Sequence, residues 1–187
     1  MIEEAILGQI QFLIELGFPK LLNLSIEDYL NSFQYKGNRI PPNCERRFDL
    51  PVIVDPRIPT AELILKAGLA NYLKLEELTN VSNSYAKPYL FFTHDSKKYS
   101  SHTAASAITT FVEDEAGCTL EELIYFYLFY SDKFEGIAID AILTNFRGDY
   151  HPCLIKVTEK GEIGAHWHND LTVGINIISK GKSIIKL

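Results

Sequence analysis

The stretch Gly164-Ala-His-Trp-His-Asn-Asp170 puts two imidazoles and a carboxylate within five residues, His166 to Asp170. In a β-strand, residues two apart share a face. His166 and His168 would then point one way and Trp167 the other. Upstream, His151 and Cys153 show the same alternate spacing. If Lys160-Gly161 is the two-residue turn of a hairpin, Ile155 faces His166, Cys153 faces His168 and His151 faces Asp170. Directly opposed side chains have Cβ atoms about 4.5–5.5 Å apart, so His151, Cys153, His166, His168 and Asp170 would gather on one face.

Imidazole, thiolate and carboxylate are the ligands of zinc, so a divalent metal such as zinc is the cofactor this pattern admits. Three protein ligands and an open water position would make the chemistry hydrolytic. A simpler reading stands beside it. Ile155 and Val157 share the same face, so these side chains would simply be core. Register decides between the two, because a slip of one residue sends His151 and Cys153 to the opposite face. The assumed register also sets Glu159 against Glu162, an unfavourable pairing of like charges.

The same residues admit a second chemistry, with Cys153 as nucleophile and His151 as its base, provided the imidazole reaches the sulfur. Asp140 is an isolated carboxylate inside the apolar run Ala138-Ile-Asp-Ala-Ile142. Buried there, it needs a partner such as Arg147 or a strand N–H. The stretch Phe91–His102 carries Lys97, Lys98 and serines ahead of a helix, where an anion could sit. No glycine-rich loop accompanies it, and Ser100 or Ser101 serves more simply as N-cap.

These residues are positioned by helices first and strands last. Residues 2–16 read as an amphipathic helix, stopped by Gly17 and Pro19. A second helix begins at Ser25, and the two form a helical hairpin over residues 1–35. Residues 36–47 are linker-like, with a glycine, two prolines and little apolar content. Residues 48–187 form the main body. Residues 50–55 and 88–94 read as strands, 58–69 and 102–112 as helices, and 70–87 as loop. Thr119 and Glu122 make a capping box for a helix running to Tyr130. Turns at Arg147-Gly148-Asp149, Lys160-Gly161 and Lys180-Gly181 then separate the strands of an antiparallel meander. Residues 134–142 fit helix or strand. The order predicts one α+β domain, with central helices packed on a mostly antiparallel sheet.

Composition narrows the function classes. A net charge of −6 over 187 residues, with Arg46-Arg47 as the one basic cluster, excludes a nucleic-acid surface. No run of about 18 apolar residues spans a membrane. The N-terminus has acids where a signal peptide needs bases. The three cysteines, Cys44, Cys118 and Cys153, are odd in number and widely spaced, which fits free thiols in a reducing, cytoplasmic setting.

The order Gln11–Leu30, Leu50–Glu62, Cys118–Ile124 and a closing meander resembles an uncharacterised bacterial domain-of-unknown-function family, over roughly residues 9–168. The resemblance implies a compact bacterial domain. The family brings no assigned activity and no catalytic residue, and the Ile-rich segment after Val173 departs from it.

Three functions follow as expectations. Ile124–Tyr130 packs five aromatics into seven residues. Any part of it left exposed would suit a non-enzymatic module that binds a protein partner or forms a homo-oligomer. A metal-dependent, hydrolase-like enzyme would use His166 and His168. A small-molecule binding domain would place its site where the helices cover the sheet.

Overall fold

The computed structural model describes residues 2–33, 48–81, 85–94, 98–99, 102–157, 160–167, 175–181 and 184–187. Three helices open the chain: α1 (Ile2–Glu15), α2 (Phe18–Leu21) and α3 (Ile26–Asn31). Next come β1 (Leu50–Val54), α4 (Thr60–Lys66), β2 (Ala70–Asn71), β3 (Leu78–Asn80), β4 (Tyr89–Thr93), α5 (Ala104–Thr110) and β5 (Glu115–Gly117). The chain continues with α6 (Leu120–Tyr130), β6 (Ala138–Asp140), β7 (Thr144–Phe146), β8 (Tyr150–Val157) and β9 (Lys160–Trp167). It ends with β10 (Ile175–Ile177), β11 (Ser179–Gly181) and β12 (Ile185–Lys186). The architecture is α+β. The linker-like residues 36–47 lie outside the described residues.

The strands form two sheets. One runs β1-β4-β11-β5, all antiparallel, with β12 also pairing with β4. The other is built on the long strand β8, which takes β6 and β7 in turn along one edge and β9 along the other. It is not a pure meander: β10 runs parallel to β6, and β2 runs parallel to β9. After β10 the chain crosses to the first sheet as β11.

Helix α6 lies against both β1 and β8. Leu120, Leu123, Ile124, Tyr125, Phe126 and Tyr127 are buried, and Glu121 and the last turn are half-exposed. The aromatic run is therefore mostly core, with Leu128, Phe129 and Tyr130 half-exposed at its end. Its start is the expected capping box: the Thr119 hydroxyl accepts from the Glu122 N–H, and Glu122 Oε2 accepts from the Thr119 N–H at 2.9 Å.

Helix α1 protects a sheet edge. Gln9, in the middle of its apolar stripe, is buried. Its amide donates to the Pro51 carbonyl at 2.7 Å and accepts from the Ile53 N–H at 3.0 Å. A side-chain amide thus pairs with the outer backbone edge of β1, which is how an edge strand is kept from pairing with another chain.

Several local expectations need correction. Residues 70–81 contain the short strands β2 and β3 rather than loop alone, and 138–140 is strand. The N-cap of α5 is Thr103, whose hydroxyl accepts from the Ser106 N–H at 3.0 Å, and not Ser100 or Ser101. Neither Lys160-Gly161 nor Lys180-Gly181 is a turn. Gly161 lies in β9, where an added Cβ would come within 2.3 Å of Leu69 Cδ2 and 2.9 Å of Tyr127 Cζ. It is glycine because the backbone approaches the core closely. Lys180 lies in β11, buried, with its ammonium on Glu122 Oε1. Arg147 and Gly148 do form a turn, both at positive φ, between the paired residues Phe146 and Tyr150.

Candidate functional site

The site is laid out by the β6–β8–β9 register. Asp140 pairs with Cys153, Cys153 with Gly164, and His151 with His166. The ladder sets Val157 opposite Lys160, whereas a turn at Lys160-Gly161 would set it opposite Gly164. That moves every pairing by four residues along one strand. Four is even, so no side chain changes face. Ile155, not Glu159, now faces Glu162, which removes the like-charge pair.

The residues brought together are Asp140, Cys153 and His166, whose potential ligand atoms all lie within 4.8 Å of one another. Gly164, opposite Cys153, has no side chain, which leaves the surface above the sulfur to the His166 ring. The imidazole crosses β8 and uses both nitrogens. Nδ1 donates to Asp140 Oδ1 at 2.9 Å, and Nε2 lies 3.6 Å from Cys153 Sγ. Asp140 and Cys153 are almost wholly buried, while His166 keeps a quarter of its side chain, 25%, in solvent. The Asp140 hydrogen bond, and after it the contact with Cys153, outweigh the cost of burial and push the His166 imidazole up to about 10. The ring is thus an imidazolium at neutral pH, with one N–H aimed at a carboxylate and the other at sulfur.

His151 shares the face but not the cluster. Its Nδ1 donates to the Thr144 carbonyl at 3.0 Å, a bond that holds the ring toward β7. His168 and Asp170 lie outside the described residues. The nucleophile–base pair expected from His151 and Cys153 is made by His166 and Cys153 instead. Asp140 does find a partner, but not Arg147, whose guanidinium pairs with Glu77. The signal in the sequence was a carboxylate in an apolar run. What it lacked was the β6–β8 register that places this carboxylate beside Cys153.

The expected anion site before α5 is not supported at Lys98, whose ammonium donates to Glu115 Oε1 at 2.5 Å; Lys97, Ser100 and Ser101 lie outside the described residues. Both described cysteines, Cys118 and Cys153, are free thiols. Cys118 is fully buried and its thiol is pushed up by that burial, so it is inert. Among the described residues no helix is long and apolar enough to cross a membrane. No family model, no curated protein and no solved structure matches the chain.

Proposed function

We propose that the protein is a thiol-dependent enzyme of the acyl-transfer or hydrolase class, with Cys153 as nucleophile, His166 as proton carrier and Asp140 as the group that orients it. The observation that supports this reading is the order of contacts, carboxylate to Nδ1 and Nε2 to sulfur. That is the nucleophile–base–orienter order of cysteine and serine hydrolases. The chemistry uses the thiolate form of the cysteine. In the first step the sulfur attacks an acyl carbon, an S–C bond forms, and the bond to the leaving group breaks. The leaving group takes its proton from Nε2. In the second step water attacks the thioester carbon and gives one proton to Nε2; the S–C bond breaks, releasing the carboxylic acid and returning Cys153 as thiolate beside the imidazolium.

The test is incubation with an activated ester such as p-nitrophenyl acetate, followed by peptide mass spectrometry. The reading requires an acetyl group on the Cys153 peptide, absent from a Cys153→Ser variant and slowed at least about tenfold in His166→Asn. Acetylation spread over lysines alone would overturn it.

One observation favours a second reading, in which the same groups bind zinc. A thiolate and an imidazole on a tetrahedral zinc lie roughly 3.6 Å apart, given bonds of about 2.3 and 2.0 Å. Cys153 Sγ and His166 Nε2 are at 3.6 Å. Asp140 on Nδ1 would then be the outer partner that fixes the ring. Among the described residues this arrangement supplies two direct ligands, fewer than the three of an open catalytic site, so the thiol reading has the better support. Zinc that copurifies stoichiometrically with untagged protein and is lost in Cys153→Ala would reverse that preference.

A further inference from the structure

A cavity of about 230 Å³ lies between the start of α6, the end of β1 and the residues leading into α4. It is separate in its lining from the Cys153 cluster, and nothing in the proposed reaction uses it. Its walls combine apolar surface from Val54 and Ile58 with Tyr85, Tyr89 and Tyr125 and the carboxylate of Glu121. The rings of Tyr85 and Tyr89 are 4.5 Å apart and tilted by 48°.

Two other carboxylates border the cavity, and each already has a cation. Asp55 holds Arg57 through paired bonds of 2.7 Å, and Glu122 holds the Lys180 ammonium. Glu121 differs from both. Among the described residues its oxygens accept from neutral donors, the Thr60 hydroxyl at 2.8 Å and the Asn80 amide at 3.2 Å. A helix N-terminus carries about half an elementary charge, and here it is shared between Glu121 and Glu122. The cavity therefore retains net negative charge next to aromatic rings and apolar walls. Aromatic faces and a carboxylate together recognise an organic cation.

We infer that this cavity is a binding site for a small organic ammonium ion, with Glu121 as its counter-ion and the tyrosine-lined wall receiving its apolar body. At the roughly 30 Å³ one water occupies in the liquid, the cavity has room for about eight non-hydrogen atoms. Benzylammonium has that size.

Benzylammonium, benzyl alcohol and benzoate differ mainly in charge, and each is titrated into the full chain with binding read by calorimetry and by chemical shifts of tyrosine-labelled protein. Benzylammonium is expected to bind with shifts at the cavity tyrosines. Benzyl alcohol should bind at least about tenfold more weakly, and benzoate not at all. Glu121→Gln keeps an acceptor oxygen for the Asn80 amide and can donate its NH2 to the Thr60 hydroxyl, and it should weaken benzylammonium at least about tenfold without altering benzyl alcohol. Equal binding of all three probes, no binding of benzylammonium at millimolar concentration, or shifts confined to other residues would each overturn the assignment. The comparison of probes on the unmodified chain keeps the test intact if the variant does not fold.

Discussion

Nδ1 of His166 lies 2.9 Å from Oδ1 of Asp140, on strands that flank β8 from opposite sides. His166 sits two residues along β9 from Gly164, the partner of Cys153, and reaches across β8, so side chains from three neighbouring strands are linked carboxylate to imidazole to sulfur. The residues come from β6, β8 and β9, and each is placed by backbone pairing rather than by a loop. Sites held on strands in this way keep their geometry better than sites on loops.

The ion pair makes stability depend on pH in a defined direction. The His166 imidazole is raised in the folded protein, from an ordinary 6.5 to about 10. Its contribution is therefore fully present below about pH 6.5 and is lost as pH rises through about 10. Urea midpoints of the wild type and of His166→Gln should differ at about pH 6 and converge by about pH 11. A gap that stays constant over that range would show that the imidazole is not held charged.

Gly161 should not tolerate a side chain. A Cβ there meets Leu69 Cδ2 at 2.3 Å and Tyr127 Cζ at 2.9 Å. Gly161→Ala is expected to cost about 1–3 kcal/mol, as overpacking does. Because the nearest atom is the tip of Leu69, the double variant with Leu69→Ala should be less destabilised than the sum of the two single variants. Chemical denaturation of the four proteins measures this, and strict additivity would argue against the contact.

The buried pair between Lys180 and Glu122 predicts asymmetry. Both side chains are nearly inaccessible, at 6% and 1% exposure, and Glu122 also accepts from the Tyr89 hydroxyl at 2.9 Å. Lys180→Met leaves a buried carboxylate without its cation and should cost about 3–5 kcal/mol. Adding Glu122→Gln, whose oxygen can accept from the Thr119 N–H while its NH2 donates to the Tyr89 hydroxyl, should recover much of that loss. A double variant as unstable as the single one would contradict this account of the pair.

These residues also show where the sequence could be read and where it could not. The α6 capping box and the strand around Val52 follow from local patterns that the core then reinforces. The same-face placement of His151, Cys153 and His166 follows from period-two alternation, and it survives a misplaced turn because the error is even. Glycines and lysines misled, since they punctuate turns far more often than they lie in strands. Gly161 is required by Leu69, far away in the chain, and Lys180 by Glu122 on another element. No local window contains either reason. The Asp140 contact was invisible for the same cause: it depends on β6 pairing with β8 in one register, which only the assembled sheet defines.

The central claim, that Asp140 and His166 activate Cys153, is tested most directly by timed alkylation of the native protein with iodoacetamide at neutral pH, followed by peptide mass spectrometry. Cys153 should be labelled at least about tenfold faster than the buried Cys118, and His166→Asn should slow Cys153 by at least about tenfold while leaving Cys118 unchanged. Labelling of Cys153 at the rate of Cys118, or a rate indifferent to the loss of His166, would contradict the claim.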